Sequence, residues 1–180
     1  MKELESKVMA EVAKGNLSAF REIVERYQNP LLNYVCRYTG DRAAAEDIAQ
    51  EVFLRVFKNA NEYRPFSSFK TWLFKIATNL CLNELRDNRI RRNTIDIFEL
   101  NEAGFVALVT KCPSPARELE NRELSSTLKK AENFPEKQRV ALLLHKYNGF
   151  SYVEISQMMG CSMSAVEALI HRARQSLKKQ

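Results

Sequence analysis

The chain has 180 residues, 45% of them hydrophobic, and 28 lysines and arginines against 22 aspartates and glutamates give it a formal net charge of +6 at pH 7. This length allows one large or two small domains, and the apolar content supplies ordinary cores that need no cross-links. The positive charge favours an anionic partner, and basic residues crowd into two stretches, 86–92 and 171–179. A basic run that ends a helix can instead complement the helix dipole, so charge alone does not identify the partner.

The four cysteines are widely spaced and predict neither a disulfide framework nor a metal site. No pair has the spacing of a zinc knuckle, and the chain has two histidines. We therefore expect reduced thiols, no metal and no cofactor, with Cys36 and Cys81 as small core residues. Cys112 lies beside an expected linker, which leaves redox sensing open. The first 15 residues resemble a charged amphipathic helix rather than a signal peptide, and no run approaches about 20 apolar residues. This predicts a soluble cytoplasmic protein with no membrane insertion of its own.

The chain begins with a helical pattern. A first helix is predicted over about 4–14, where Gly15 and Asn16 supply a stop. A second is predicted over about 17–28. Pro30 then predicts a break or kink before the helix continues to residue 39, because proline lacks the amide donor and crowds the preceding turn.

An acidic helix follows from Gly40, with the sequence GDRAAAEDIAQEVFLRVFKN. Its apolar stripe is expected to face a core and consists of Ala45, Ile48, Ala49, Val52, Phe53 and Val56. The opposite stripe, at spacings of three and four, holds Asp47, Gln50, Glu51, Leu54 and Lys58. Such a polar stripe is often only a solvated face, and the leucine within it is out of place for that interpretation.

After the loop YRPFSS comes an aromatic and basic helix. A broad apolar arc holds Phe69, Trp72, Leu73, Ile76, Ala77 and Leu80, and a second stripe carries the donors and amides Lys75, Asn79, Asn83 and Arg86. Aromatic rings stack on unpaired bases and cations hold the phosphodiester backbone, so the combination suits single-stranded nucleic acid. Trp72 also fits a buried core position, and the two asparagines also fit a solvent-facing stripe.

Beyond Arg92 the helical period decays until the prolines that flank Ser114, which predicts a linker over residues 94–112. Its apolar residues are too many for a freely solvated segment, so part of it is expected to pack on a domain or a partner. Helices are then predicted from Ala116 for about fifteen residues, from Pro135 to the stop at Gly149, and from a capping box at Ser151.

The last thirty residues have the spacing of a helix-turn-helix. Ser156 is small enough for close helix crossing, Gly160 permits the turn, and Val166 anchors the second helix, which is predicted over 163–178. Two packed helices of an unrelated bundle imitate the same spacing. The apolar side chains of the second helix expected to face the core are Val166, Leu169, Ile170, Ala173 and Leu177.

The order AEDIAQEVF, FSSFKTWLFKIATN and a terminal helix-turn-helix closely resembles the extracytoplasmic-function class of bacterial RNA polymerase sigma factors, over almost the whole chain. The resemblance implies an all-α protein with two small helical domains: residues 1–93 bind core polymerase and the −10 promoter element, residues 94–112 link the domains, and residues 113–180 bind the −35 element. By the same resemblance, the segment that docks on the polymerase clamp helices contains Asp47, Gln50, Glu51 and Leu54. The residues implied for the −10 element are Arg64, Phe66, Ser67, Lys70, Trp72, Lys75, Asn79, Asn83 and Arg86.

Within the helix-turn-helix, the residues expected at the −35 element are Ser164, Ala165, Glu167, Ala168, His171, Arg172, Arg174 and Lys178. Arg172 suits a guanine edge or a phosphate, and Arg174 and Lys178 suit phosphates. Sigma factors of this class often carry a basic residue where this chain has Glu167. That glutamate either accepts a hydrogen bond from a cytosine amino group or completes a capping box with Ser164, and the sequence favours the capping role.

The expected function is promoter-specific initiation by core RNA polymerase, with an anti-sigma factor as a regulatory partner by the same resemblance. No enzyme is expected, because the sequence has no phosphate-cradling glycine loop, no metal cluster and no nucleophile beside a base. The alternative is a stand-alone helix-turn-helix regulator. It accounts for the carboxy-terminal half equally well, but it leaves the acidic stripe of the amino-terminal half without a use.

Overall fold

A computed structural model of the protein describes residues 2–64, 67–91 and 134–178, with the backbone alone described for 2, 3, 84–91 and 178. These ranges contain α-helices and one 3₁₀ turn, Ala60–Glu62, and no strand. The helices are α1 Lys2–Ala13, α2 Leu17–Thr39, α3 Arg42–Lys58, α4 Phe69–Arg91, α5 Glu136–Lys146, α6 Tyr152–Met159 and α7 Met163–Lys178. The chain divides into two compact units, Met1–Cys112 and Pro113–Gln180, and the all-α expectation is confirmed.

Helix α2 buries nine side chains in the first unit and has a cap at each end. Asn16 caps its start, where the side-chain oxygen accepts from the amides of Ser18 (3.0 Å) and Ala19 (3.2 Å). At its end Gly40 adopts φ +74°, and its amide donates to the carbonyl of Cys36 at 2.9 Å.

Of the two outcomes predicted at Pro30, a break or a kink, the break is wrong, because α2 runs through this residue without interruption, and the kink stays a prediction. An interior proline costs about 3 kcal/mol. The burial of α2 continues on both sides of it, with Tyr27 before and Leu31, Leu32 and Tyr34 after. Burying a large apolar side chain contributes about 1.5–3 kcal/mol, so a few of these contacts offset the proline.

Helix α3 packs in the first unit along its predicted apolar stripe. Asp41 caps the helix by accepting from the amide of Ala43 at 2.8 Å. The buried side chains of α3 are Ala45, Ile48, Ala49, Val52, Phe53 and Val56, the six residues expected from the spacing. The outer stripe is thereby fixed toward solvent.

Helix α4 uses a different arc from the one predicted. Phe69, Leu73 and Ala77 are buried as expected, but Phe74 is also buried and the helix turns two threonines inward, Thr71 and Thr78. Ile76 and Leu80, predicted on the same apolar arc, are half-buried at its edge instead. Trp72, for which a core position and a position at the DNA strand were both open, is half-buried there as well. The inward threonines explain this rotation, because Thr78 and Tyr34 of α2 share a buried hydrogen bond of 2.9 Å that holds α4 against α2.

The second unit is a small bundle of α5, α6 and α7. Ser151 and Glu154 form the predicted capping box at the start of α6. The His145 ring Nδ1 lies 3.1 Å from the carbonyl oxygen of Phe150, which ties the end of α5 to that start. Phe134, Leu142, Ala173 and Leu177 pack together between α5 and α7.

Several predictions concern the linker, the cysteines and membrane spans. The linker 94–112, Cys112 and the helix expected from Ala116 lie outside the described residues. Cys81 is buried as predicted, whereas Cys36 is only half-buried. None of the helices within the described ranges is long and apolar enough to cross a membrane.

Candidate functional site

The outer stripe of α3 is accessible but not uniform. Asp47 is exposed, whereas Gln50, Glu51 and Leu54 are half-exposed. The Glu51 carboxylate accepts from Arg55 Nε at 2.6 Å, so its charge is partly offset within the helix. Asp47 has no ion pair with any residue that the structure describes. A partner that approaches this stripe therefore meets one free carboxylate, one paired carboxylate and an apolar side chain.

Aromatic rings fix the segment between the 3₁₀ turn and α4. The Tyr63 ring centroid lies 5.8 Å from that of Phe69 and 5.2 Å from that of Trp72, and Phe69 and Trp72 are 5.9 Å apart. Tyr27 of α2 contacts Phe69 at 5.0 Å. Trp72 is thus both packed on the core and half-exposed, which combines the two interpretations that its sequence position allowed.

Beneath this cluster lies a buried carboxyl group. The hydroxyl of Tyr27 donates to Oε1 of Glu5, which is 6% exposed in α1. Burial, together with this carboxyl, raises the pKa of Tyr27 above its ordinary value. Burial also raises the pKa of Tyr63, whose hydroxyl lies near Ser6 and Glu5. Helix α1 therefore contacts the aromatic cluster through the hydroxyl groups of Tyr27 and Tyr63.

The loop that enters α4 is held by a cap that the sequence analysis missed. Ser68 Oγ accepts from the amide of Thr71 at 3.1 Å and lies 2.8 Å from Thr71 Oγ1, while the carbonyl of Ser68 accepts from the Trp72 amide. A serine one residue before an apolar helical pattern is the available signal. Arg64 is exposed, and its Nη1 donates to the carbonyls of Asn61 (2.8 Å) and Tyr63 (3.2 Å). Ser67 is half-exposed, and Phe66 lies outside the described residues.

Along α4, polar donors stand beside apolar rings. Lys75, Asn79 and Asn83 are exposed at successive turns, and Lys70 is half-exposed with its ammonium 6.0 Å from the Phe74 ring centroid. The half-buried edge of Trp72, Ile76 and Leu80 runs next to them. The side chain of Arg86 lies outside the described residues. This face offers amide and ammonium donors beside an aromatic ring, which are the groups that bind an unpaired nucleic-acid strand.

The helix-turn-helix has the expected internal geometry. Gly160 adopts φ +61°, and its amide and that of Cys161 both donate to the carbonyl of Ser156, closing the turn. Val166 is fully buried as predicted, and Leu169 is half-buried. Of the side chains predicted at the −35 element, five are exposed: Ser164, Glu167, His171, Arg172 and Arg174. Ala165 and Ala168 are half-buried, and the side chain of Lys178 is not among those described.

The capping box expected between Ser164 and Glu167 is wrong. Ser162 is the residue that caps α7: its Oγ accepts from the amide of Ala165 at 3.2 Å, and its carbonyl accepts from the amide of Val166. With Ser162 as the capping residue, Ser164 is the second residue of the helix and Glu167 the fifth, two positions beyond the one from which a capping-box glutamate reaches back to the cap. Glu167 is left exposed at the second turn.

One unit thus carries a helix-turn-helix, and the other carries a face of α4 with exposed amide and ammonium groups beside half-buried apolar side chains. The family models "Sigma-70 region 2" and "Sigma-70, region 4" match residues 23–91 and 132–177. The chain is 32% identical to the ECF RNA polymerase sigma factor SigW of Bacillus subtilis over 97% of this chain and 95% of that protein. It is 30% identical to the RNA polymerase sigma-H factor of Pseudomonas aeruginosa over 98% of this chain and 93% of that protein. The chain belongs to the sigma-70 family of RNA polymerase sigma factors, in the extracytoplasmic-function (ECF) group.

Solved structures agree on the fold. CnrH in complex with the cytosolic domain of CnrY is similar with a TM-score of 0.69 at 23% identity, over 97% of this chain and 95% of that chain. RpoE of Bartonella quintana, solved with the anti-sigma factor NepR, is similar with a TM-score of 0.69 at 22% identity, over 89% and 94%.

Proposed function

We propose that this sigma factor works in the cytoplasm as a non-enzymatic initiation factor whose residues 1–93 bind core polymerase and the opened −10 element, with residues 94–112 as linker and residues 113–180 on the −35 element. The observation that carries the proposal is the face of α4, where Lys75, Asn79 and Asn83 are exposed beside the half-buried Trp72. Binding an unpaired strand more tightly than a duplex at this face biases a promoter toward opening.

The outer stripe of α3 is the proposed contact with the polymerase clamp helices. It lies on the side of α3 opposite to the buried stripe, so a polymerase can reach it without disturbing the core. Its free carboxylate at Asp47 attracts a basic partner surface, and Leu54 gives that contact an apolar centre. A few well-packed, desolvated residues near the centre of an interface carry most of its binding energy.

Transcription by the full chain with a bacterial core polymerase, on a genomic fragment library, tests this proposal. We expect start sites that share elements near −35 and −10. The Asp47→Lys variant should lose them through weakened core binding, whereas Glu25→Lys, which makes the same charge change at an exposed position of α2, should keep them. Glu51→Lys is a less clean probe, because it also removes the partner of Arg55.

Permanganate reactivity of unpaired thymines tests the −10 face separately. Lys75→Ala and Asn79→Ala should bind core polymerase normally and open fewer promoters. No start sites with the unaltered protein, together with tight duplex binding in the absence of polymerase, would instead establish a stand-alone regulator.

We also propose that an anti-sigma factor controls this protein, because RpoE of Bartonella quintana, which has a similar fold, has been solved with the anti-sigma factor NepR. The half-exposed apolar edge of α4 offers such a partner a surface that overlaps the −10 face. Purification of the full chain from its own cells, followed by transcription with and without the copurifying proteins, tests this. If no copurifying protein reduces transcription, the control proposal fails while the initiation proposal stands.

A further inference from the structure

Two exposed side chains on the first two turns of α7, Met163 and Glu167, take no part in the cap formed by Ser162. Met163 is 54% exposed, one of four large apolar residues exposed to this degree among those the structure describes, the others being Leu4, Leu17 and Val153. Glu167 makes no ion pair within the described residues, and the cap formed by Ser162 removes its expected capping role. An apolar side chain and a carboxylate in solvent therefore remain to be explained at the end of α7 that a helix-turn-helix places nearest the bases.

Met163 and Glu167 lie on one face of α7. They are four residues apart, so they project from the same side of the helix at a rise of about 6 Å. Successive bases of one strand are about 3.4 Å apart, so the two side chains address positions one or two base pairs apart. Ser164 and Ala168 beside them are small, and allow α7 to approach the groove closely.

The major-groove chemistry of the bases narrows what these side chains recognise. A carboxylate only accepts hydrogen bonds, and the amino donors in the major groove are N4 of cytosine and N6 of adenine. The N6 donor of adenine stands next to the N7 acceptor, which repels a second acceptor, whereas cytosine presents its N4 donor without an adjacent acceptor on the same base. A thioether side chain instead packs on the C5 methyl group of thymine.

We propose that Met163 and Glu167 are specificity-determining residues of the −35 contact: Glu167 accepts a hydrogen bond from N4 of a cytosine, and Met163 packs on the methyl group of a thymine one or two base pairs away. This inference rests on the proposed −35 role of α7. The pair reads the same edge of both pyrimidines, the edge formed by C4 and C5.

A carboxylate in the groove also lowers the affinity for DNA, and this loss can be measured. It is repelled by the phosphates wherever no cytosine amino group compensates it, so Glu167 weakens binding to all other sequences. Glu167→Gln removes the charge and can donate as well as accept, which suits adenine. It should therefore raise the affinity for unrelated duplex while lowering the discrimination, a combination that a merely structural residue does not produce.

The test is transcription by the full chain with a bacterial core polymerase on promoters with a randomised −35 element. The unaltered protein should prefer cytosine at one position and thymine at a neighbouring one by about fivefold or more each. Glu167→Gln should flatten the cytosine preference toward adenine. Gln175→Ala, at an exposed position two turns further along α7, should keep the wild-type preferences.

Deoxyuridine in place of the preferred thymine removes the methyl group alone. The unaltered protein should lose several-fold in initiation on this template, and Met163→Ala should lose nothing further. Unchanged base preferences in Glu167→Gln, or equal sensitivity of Met163→Ala to the missing methyl group, overturn the inference while initiation itself persists. Absence of initiation by the unaltered protein on every template overturns the proposed function and this inference together.

Discussion

The buried hydrogen bond between Tyr34 and Thr78 gives a quantitative test of how α4 is held. Both side chains are fully buried, and their oxygens are 2.9 Å apart. Thr78→Val keeps the shape of the side chain and strands the Tyr34 hydroxyl in the core, which we expect to cost about 1–3 kcal/mol of unfolding free energy. Tyr34→Phe should cost less, about 1 kcal/mol, because the Thr78 hydroxyl can turn to a carbonyl one helical turn earlier in α4.

The double variant separates the hydrogen bond from the packing. With both hydroxyl groups absent no buried polar group is stranded, so the cost should fall below the sum of the single costs by about 1 kcal/mol or more. The assay is urea unfolding of the full chain followed by tryptophan fluorescence. Trp72 is the only tryptophan, so the signal reports the first unit alone. Single costs that simply add, or a Tyr34→Phe variant that loses more than Thr78→Val, would refute this account of the contact.

Three further perturbations have expected outcomes. Gly160→Ala should destabilise the helix-turn-helix by about 1–2 kcal/mol: the added Cβ meets no atom within 4 Å, but the alanine backbone must adopt φ +61°, which is strained for a residue with a side chain. Gly160→Asn should cost less, because asparagine tolerates this conformation better. Hydrogen exchange of residues 152–177 measures both. Ser151→Ala should cost about 1 kcal/mol by the loss of its cap and speed exchange in α6, and Glu154→Gln, which retains the capping pattern, should not match it. Above pH 10 the unfolded chain loses tyrosine protons that the folded Tyr27, Tyr34 and Tyr63 retain, so the free energy of unfolding should fall by up to about 1.4 kcal/mol per pH unit for each; urea unfolding at pH 10 and 11 should show a fall that Tyr27→Phe makes shallower.

The sequence predicts the apolar face of a helix best where the hydrophobic repeat is compatible with only one buried face. In α3 all six predicted core residues are buried, because alanine, valine, isoleucine and phenylalanine repeat there without a competing polar residue. In α4 the same reasoning places Ile76 and Leu80 too deep and misses Thr78, because a threonine is taken as polar until its partner Tyr34 is known to lie opposite. A hydrogen bond between residues 44 positions apart leaves no local signal.

At the helix ends, too, features with a local sequence signal are predicted correctly, whereas others are not. Gly40, Gly160 and the box formed by Ser151 and Glu154 are local devices, and the structure has each of them as predicted. At α7 the prediction took Ser164 as the capping residue, whereas Ser162 caps the helix in the structure, and this shift of two residues leaves Glu167 without a capping role. Two serines flanking a methionine give equal local signals, so only the backbone geometry of the turn decides between them. Whether Glu167 is available to bind DNA therefore depends on which serine caps α7.

The faces proposed for function are separable from the fold to different degrees. Asp47 and Lys75 project from helices whose cores lie on the opposite side, so substitutions there should change binding without changing stability. Trp72 belongs to both, because the ring that is half-exposed to a DNA strand also packs on Tyr63 and Phe69. A loss of promoter opening in Trp72→Ala is therefore ambiguous by itself. Trp72→Phe keeps a ring on the cluster and gives up part of the exposed surface, so a defect in opening at unchanged stability in that variant is what would assign the tryptophan a role at the DNA strand.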